Sequence, residues 1–436
     1  VGAIGDRWGR KPVLLTGLGV FGGANLFAAF ATSTEWMITA RTVAGIGAAM
    51  IMPVTLSVVT SSFPAEDRAK AIGVWAGFAG SGGMIGLFVS AFMVDQLSWR
   101  WTYALPITLV LIGGWMSVRH APNSKEHTVH RFDTFGSVLA ALAIGGIVLA
   151  FHEGPELGWS DPITVAGVVV GVVSVIVFVI WERRHPAPLL DISSFRDRAL
   201  SSGTVTITIV FAVMFGIFLV LFPYFQAVQG WSALKSAAGM LPMALIMMPT
   251  STVAPRVAAR FGTRNTMLTG VVLFSLGLLT MALNASVEGG YMSVLPGLLV
   301  IGLGMGLTMT PATASITETL PDDKQGVASA LNDTSRELGG AIGMALLGSV
   351  LSSSFRTNML DALKGFPDAL AKPASEGIAN AFGVAAQAGE QGPAIVDAAK
   401  HAFVDAWVHS MWVGVAIASV AAVFLIVRGP KRNAPS

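Results

Sequence analysis

The chain alternates between apolar stretches and short polar turns, and each stretch has about the 20 residues that a membrane-crossing helix needs. Proline falls near the ends of these stretches, as at Pro64, Pro122 and Pro186, where it disturbs a helix least. The pattern therefore predicts an all-α membrane protein. Twelve spans are predicted, over residues 12–32, 36–59, 69–95, 100–118, 133–151, 161–181, 199–222, 235–254, 265–284, 292–317, 325–353 and 403–427.

Lys and Arg residues are concentrated in alternate loops between the predicted spans. The C-terminal tail belongs to this basic set, whereas the other short loops hold only Arg100 and Lys235. Basic loops remain in the cytoplasm, so the pattern predicts a multi-pass protein of the cell membrane with a cytoplasmic C-terminus. Residues 354–402 form one long outer segment, rich in Ala with Pro and Gly breaks, and a short helical hairpin is expected there.

The composition excludes several classes of protein. Hydrophobic residues make up 53% of the chain and charged residues only 12%, against about 25% charged in a typical soluble domain. A net charge of +2 does not suggest a nucleic-acid partner. The absence of Cys removes disulfides and thiol nucleophiles, and the sequence has no phosphate-binding Gly-rich loop ending in Lys-Ser or Lys-Thr. We therefore expect no enzyme, no catalytic residues, no cofactor and no metal site.

The sequence repeats itself, because three segments of the first half recur in the same order and at nearly constant spacing in the second. Such a repeat is typical of transporters built from two related bundles. The matching pairs are residues 6–17 with 259–270, 63–67 with 320–324, and 82–86 with 339–343.

Two predicted spans precede the loop at Arg260 in the second copy, whereas the chain starts at the equivalent loop of the first copy. We therefore expect two further helices upstream in the natural protein, which would make fourteen. The predicted domains are residues 1–118, the remainder of an N-terminal bundle, 119–185, two extra linker helices, and 186–436, a C-terminal bundle with the outer segment.

The first loop resembles the motif between the second and third helices of the major facilitator superfamily, and the fourteen-span plan resembles its drug:proton antiporter-2 branch. This resemblance implies a monomeric, proton-coupled exporter of lipophilic or cationic drugs that works by alternating access. It also implies that the loop latches the outward-facing state. The alternative is a basic anchor with a tight turn. The motif residues are Gly2, Gly5, Asp6, Arg7, Gly9, Arg10 and Lys11.

Asp333 and Glu337 are the strongest acidic candidates, since residues four apart share one face of a helix. Two close carboxylates repel each other in a low-dielectric setting, which favours binding of a proton, and an anionic site also attracts a cationic drug. Arg336 is placed to neutralise Asp333 in part. The alternative is that water and the helix N-terminus at the cytoplasmic end simply tolerate these charges.

Arg41 lies inside the second predicted span, where a buried Arg costs about 2.5–3.5 kcal/mol and usually has a partner. By resemblance it belongs to a proton relay, although Ala44 stands where the family usually has Gln. Snorkelling of Arg41 to the outer surface is the alternative.

Further candidates fall into three groups. Gly82, Gly86, Gly339 and Gly343 are predicted to allow close helix packing. An aromatic and Met-rich region suits a substrate pocket, although a lipid-facing or core stripe has the same pattern. Asp133 and Asp161 are predicted helix N-caps. The predicted pocket residues are Phe215, Phe218, Phe222, Gln226 and Met247.

The residues leave two alternatives to a drug exporter open. The antiporter motif of the family has Gly-Pro followed by Gly-Gly, whereas this chain reads Gly86-Leu87-Phe88-Val89-Ser90-Ala91. That departure favours a carrier of another lipophilic cargo, such as a lipid or secondary metabolite, without antiport. The expected loss of two helices favours a truncated copy that transports nothing.

Overall fold

The computed structural model describes residues 9–62, 82–83, 85–121, 133–186, 188, 192–319 and 325–430. Every regular element in these ranges is helical. Ten of the described helices are long and apolar enough to cross a membrane. The predicted all-α, multi-pass architecture is therefore confirmed.

The chain forms two compact units, and the first spans Val1–Phe132 together with Ser232–Ala238. Its last long helix follows a short 3₁₀ turn at Trp99–Tyr103. The helices of this unit are α1 (Arg10–Ala29), α2 (Thr34–Ser62), α3 (Ile85–Gln96) and α4 (Ala104–His120), with α8 (Ala233–Gly239) contributed from further along the chain.

The second unit contains Asp133–Trp231 and Gly239–Ser436. The two central helices α5 and α6 pack against each other, and α5 also packs against α12. The helices of this unit are α5 (Thr134–Leu157), α6 (Pro162–Glu182), α7 (Arg198–Pro223), α9 (Leu241–Phe261), α10 (Thr263–Asn284), α11 (Leu295–Thr317), α12 (Gln325–Ala362), α13 (Asp368–Ala374), α14 (Ile378–Ala385) and α15 (Gly392–Arg428).

Side-chain carboxylates cap several helices of the second unit. Asp133 accepts a hydrogen bond from the Gly136 amide at 2.8 Å, and Asp161 accepts one from the Ile163 amide at 2.8 Å. Both satisfy backbone donors that the first turn of a helix leaves unpaired. The N-cap predictions for Asp133 and Asp161 are therefore confirmed.

Several helix ends differ from the prediction. The span predicted to end at residue 254 continues as α9 to Phe261, so Arg256 and Arg260 lie on the helix rather than in a loop. Pro255 does not end the helix, because transmembrane helices tolerate an internal proline when neighbouring groups satisfy the freed backbone. The outer segment 354–402 is helical over most of its length, since α12 runs on to Ala362 and α15 starts at Gly392.

The core of the second unit lies where α7, α10, α11 and α15 meet. Trp407 and Tyr224 are fully buried and their rings lie 4.4 Å apart between centroids. The Tyr224 hydroxyl is held by the Ser293 hydroxyl at 3.2 Å and by the Gln229 amide, which donates to it at 3.0 Å. This core gives α7 a fixed position from which to meet α12.

Candidate functional site

A polar face on α12 is the main candidate site. Asn332 is only 7% exposed, and its side-chain oxygen accepts a hydrogen bond from the Thr313 hydroxyl of α11 at 3.2 Å. The Asn332 amide nitrogen donates to Asp333 Oδ1 at 3.4 Å. Buried polar side chains are nearly always hydrogen-bonded, and the Asn332 amide follows this rule. It links the carboxylate of Asp333 to the neighbouring helix.

The two predicted carboxylates lie one helical turn apart on this face. Asp333 is half-buried, whereas Glu337 is exposed within its unit. At a rise of about 1.5 Å per residue, Asp333 is about 12 Å beyond Gln325, where α12 begins. The field of a helix terminus is confined to the first turn. It therefore does not account for a charge at Asp333.

Arg336 contacts an aromatic ring of the neighbouring helix, and its partial neutralisation of Asp333 stays a prediction. In the described part of the chain, no ion pair joins Arg336 to Asp333 or to Glu337. Its guanidinium lies over the Phe211 ring of α7 instead, 5.2 Å from the ring centroid, and its buried Nε has no hydrogen-bond partner. The reason is geometric, since packing of α7 on α12 places an aromatic face against the guanidinium. The contact is of the cation–π type.

Glycines on α12 bring α7 close to this face. A Cβ added to Gly339 would lie 2.2 Å from the Thr208 carbonyl oxygen, and one added to Gly343 would lie 1.8 Å from the Ala212 carbonyl oxygen. In contrast, no described atom lies within 4 Å of a Cβ built on Gly82 or Gly86, and the close packing predicted for these two stays a prediction. Gly82 is exposed and Gly86 half-buried within their unit.

The first-loop motif is described only from Gly9 onwards. Gly2, Gly5, Asp6 and Arg7 lie outside the described residues. Gly9 caps α1 with a φ of 105°, a conformation that favours glycine, and Arg10 is the first residue of the helix.

Lys11 contacts the last turn of α4, where its Nζ donates to the Val118 carbonyl oxygen at 2.8 Å. This turn carries carbonyls that the helix itself leaves unpaired, and it attracts a cation. The second copy repeats the contact. Gly262 has a φ of 89°, and Arg264, two residues on, donates to the Ile426 carbonyl oxygen near the end of α15.

The remaining predicted residues are not gathered into one site. Arg41 is exposed within the first unit and forms no ion pair with a described residue of the chain. Phe218, Phe222 and Met247 pack at the edge of the core, while Phe215 and Gln226 are exposed. Phe215 stacks loosely with Phe211, at 6.0 Å between ring centroids.

Two cavities in the second unit were not predicted from the sequence. The predicted pocket residues line neither of them. The larger has a volume of about 970 Å³ and lies at the basic end of the unit. Its charged lining combines Arg196, Asp197 and Arg198 with Glu318. The smaller has a volume of about 360 Å³ and lies between α5, α7, α12 and the segment 376–378. Helices far apart in sequence contribute to each, so no local motif marks them.

The family comparison agrees with the all-helical fold. Residues 1–344 match the family described as the Major Facilitator Superfamily. The chain therefore belongs to this superfamily of membrane transporters.

Several relatives are named for drug resistance. The chain is 30% identical over 410 residues to the multidrug efflux pump LfrA of Mycolicibacterium smegmatis, covering 92% of this chain and 80% of LfrA. It is 30% identical over 351 residues to the multidrug resistance protein Stp of Mycobacterium tuberculosis, covering 80% of this chain and 65% of Stp. It is also 30% identical over 369 residues to the puromycin resistance protein pur8 of Streptomyces alboniger. The chain thus spans somewhat less than two thirds of Stp.

Solved structures share the fold at low sequence identity. An auto-inhibited peptide transporter of the POT family has a TM-score of 0.61 at 14% identity, covering 100% of this chain and 85% of that one. An inward-facing bacterial homologue of the human lysosomal transporter Spinster has a TM-score of 0.57 at 17% identity, covering 98% of this chain and 84% of that one. These likenesses establish the fold alone.

Proposed function

We propose that this protein exports lipophilic or cationic drugs across the bacterial cell membrane by proton-coupled alternating access. The observation that carries the proposal is the pair Asp333 and Glu337 on the α12 face, next to the buried Asn332–Thr313 hydrogen bond. The relatives named for multidrug efflux and puromycin resistance support a drug as the cargo. The two extra helices α5 and α6 support membership of the drug:proton antiporter-2 branch.

In the proposed cycle, the carboxylates of Asp333 and Glu337 bind either protons or the positive charge of a drug. Protonation removes the negative charge that holds the drug, so the two ligands compete. The exposed Glu337 is the first to meet an incoming ligand, while the half-buried Asp333 is fixed by Asn332. Arg336 remains against Phe211 and preserves the packing of α7 on α12. The C-terminus is cytoplasmic in this proposal, because the basic loops face that side.

The test measures ethidium accumulation in bacteria that lack their main efflux pumps. We expect the protein to lower accumulation, and a proton uncoupler to abolish the effect. Asp333→Asn with Glu337→Gln should remove export at unchanged membrane expression. The matched control neutralises two exposed carboxylates of the outer segment, Asp361→Asn with Asp368→Asn, and should export normally. Normal efflux by the Asp333–Glu337 double variant would refute the role of this pair.

A second candidate is a carrier of another lipophilic cargo without antiport. The segment Gly86–Ala91 favours it, since the proline and paired glycines of the antiporter motif are missing there. The same assay separates the two candidates. Export that persists after the uncoupler would support the second candidate and contradict proton coupling.

A further inference from the structure

The smaller cavity forms a cleft at the end of the second unit that is opposite the basic loops, and we call it the outer cleft. Leu219 and Pro223 of α7 line it, about 30–40 Å along the helix from Arg198, which is about the thickness of the hydrocarbon core. His152, near the end of α5, lines it at a similar depth. The outer cleft therefore lies at the membrane interface rather than in the middle of the bundle.

The walls of the outer cleft are apolar and aromatic. Phe355 and Phe403 line it and are each only 3% exposed, while Met344 is 40% exposed. Aromatic faces attract cations, and a flexible thioether adapts to ligands of different shape. A volume of about 360 Å³ falls in the range of small-molecule sites, about 300–1,000 Å³.

The mouth of the outer cleft carries negative charge. Glu376 lines it and is exposed, and His152 is 62% exposed with its ring nitrogen 3.3 Å from Glu153. A proton on His152 would thus be balanced by Glu153. Among the described residues that line the outer cleft there is no Lys or Arg. A phosphate or carboxylate would find no charged donor there, whereas a cation would find a carboxylate.

Helix α5 completes this site. The Ser349 hydroxyl of α12 shares its one proton between the Ala345 carbonyl oxygen, at 2.6 Å, and the Phe151 carbonyl oxygen of α5, at 3.4 Å. The contact to Phe151 joins α5 to α12. Both acceptors of the Ser349 hydroxyl are backbone carbonyl oxygens. One wall of the outer cleft is therefore made by a central helix that lies outside both repeated halves.

We propose that the outer cleft is a binding site for lipophilic monovalent cations, with aromatic groups in the cleft and the charge near Glu376. It is distinct from the α12 polar face, because Met344 lies about 16 Å along α12 from Asp333. The inference goes beyond the proposed function, since it concerns binding to the protein and does not require transport.

The absence of Cys in the chain makes an accessibility test direct, because an introduced thiol is the only one. Ser352 lines the outer cleft, and the adjacent Ser353 is also exposed but does not line it. Ser352→Cys and Ser353→Cys therefore form a matched pair. The purified variants are labelled with a maleimide in lipid nanodiscs, with and without tetraphenylphosphonium.

We expect saturating tetraphenylphosphonium to slow labelling of Ser352→Cys by about fivefold or more, and to leave Ser353→Cys unchanged. Adding Glu376→Gln should raise by about fivefold the tetraphenylphosphonium concentration that halves the labelling rate. The reason is that one partly solvated charge contact contributes about this factor to the affinity. The control Glu390→Gln neutralises an exposed carboxylate that does not line the outer cleft and should change nothing. Protection should persist in the Asp333→Asn, Glu337→Gln background.

Several results would overturn the proposal. Unprotected Ser352→Cys, or equal protection of both cysteines, would show that the cation does not occupy the outer cleft. Equal protection by uncharged triphenylphosphine oxide would show an apolar groove that takes lipid chains. Loss of protection in the Asp333–Glu337 variant would place the binding site at the α12 face. If gel filtration shows that Ser352→Cys misfolds, the equilibrium affinity for tetraphenylphosphonium is compared between the wild type and Glu376→Gln. Equal affinity would refute the proposal.

Discussion

A single methyl group at Gly343 should separate α7 from α12. The Cβ of alanine would lie 1.8 Å from the Ala212 carbonyl oxygen and 2.3 Å from its carbonyl carbon. Real Cβ atoms essentially never approach other atoms closer than 3.0 Å, so the two backbones must move apart by about 1 Å. The obstacle is backbone rather than a flexible side chain, and it cannot rotate away.

The expected cost follows from this overlap. Overpacking of a tight contact costs about 1–3 kcal/mol. Alanine is the better helix former and offsets about 0.5–1 kcal/mol of this. Gly343→Ala should therefore lower the free energy of unfolding by about 1–2 kcal/mol. For a unit of about 300 residues that corresponds to a fall in melting temperature of about 1.5–3 °C.

The assay is thermal melting of the purified protein in one detergent, followed by fluorescence-detected gel filtration. Gly86→Ala is the matched control, because Gly86 occupies the equivalent position of the first copy and no described atom lies within 4 Å of its added Cβ. It should melt at the wild-type temperature or slightly above. Gly343→Ala melting at or above the wild type, or both variants losing stability equally, would refute the steric reasoning.

Two further predictions concern helix ends. Lys11→Met and Arg264→Met each remove a cation from the carbonyls at a helix C-terminus, so each should lower stability by about 0.5–1 kcal/mol, read as a small fall in melting temperature. If only one does so, the two contacts are not equivalent. Asp133→Ala should cost about 2–3 kcal/mol, because the buried carboxylate also accepts from Trp181 Nε1 at 2.8 Å, whereas Asp161→Ala loses only an exposed cap worth about 1 kcal/mol. Equal melting temperatures for these two variants would contradict that difference.

Features that depend on residues close together in the sequence were predictable. Apolar length predicted twelve membrane spans, of which the described residues contain ten helices long and apolar enough to cross. A carboxylate before a helix, as at Asp133, caps the turn that follows. Contacts between distant segments were not predictable. Arg336 contacts Phe211, because the packing of α7 on α12 decides which face the guanidinium meets. Helical periodicity placed Arg336 near Asp333 but contained no information about α7.

The two copies of the repeat differ in a way that supports the α12 face as the functional site. Both copies share a glycine cap and a basic residue that binds the C-terminal end of another helix in its own unit, at Lys11 and at Arg264. A feature common to both copies is explained by folding. The positions that correspond to Asp333 and Glu337 in the first copy are Ala76 and Gly80, so the acidic pair occurs once. The carboxylates are therefore not part of what the sequence repeats from one copy to the other. A charged residue within a membrane span makes insertion of that span less favourable. Carboxylates present in one copy alone are therefore the pattern expected of a site that binds protons or a cation.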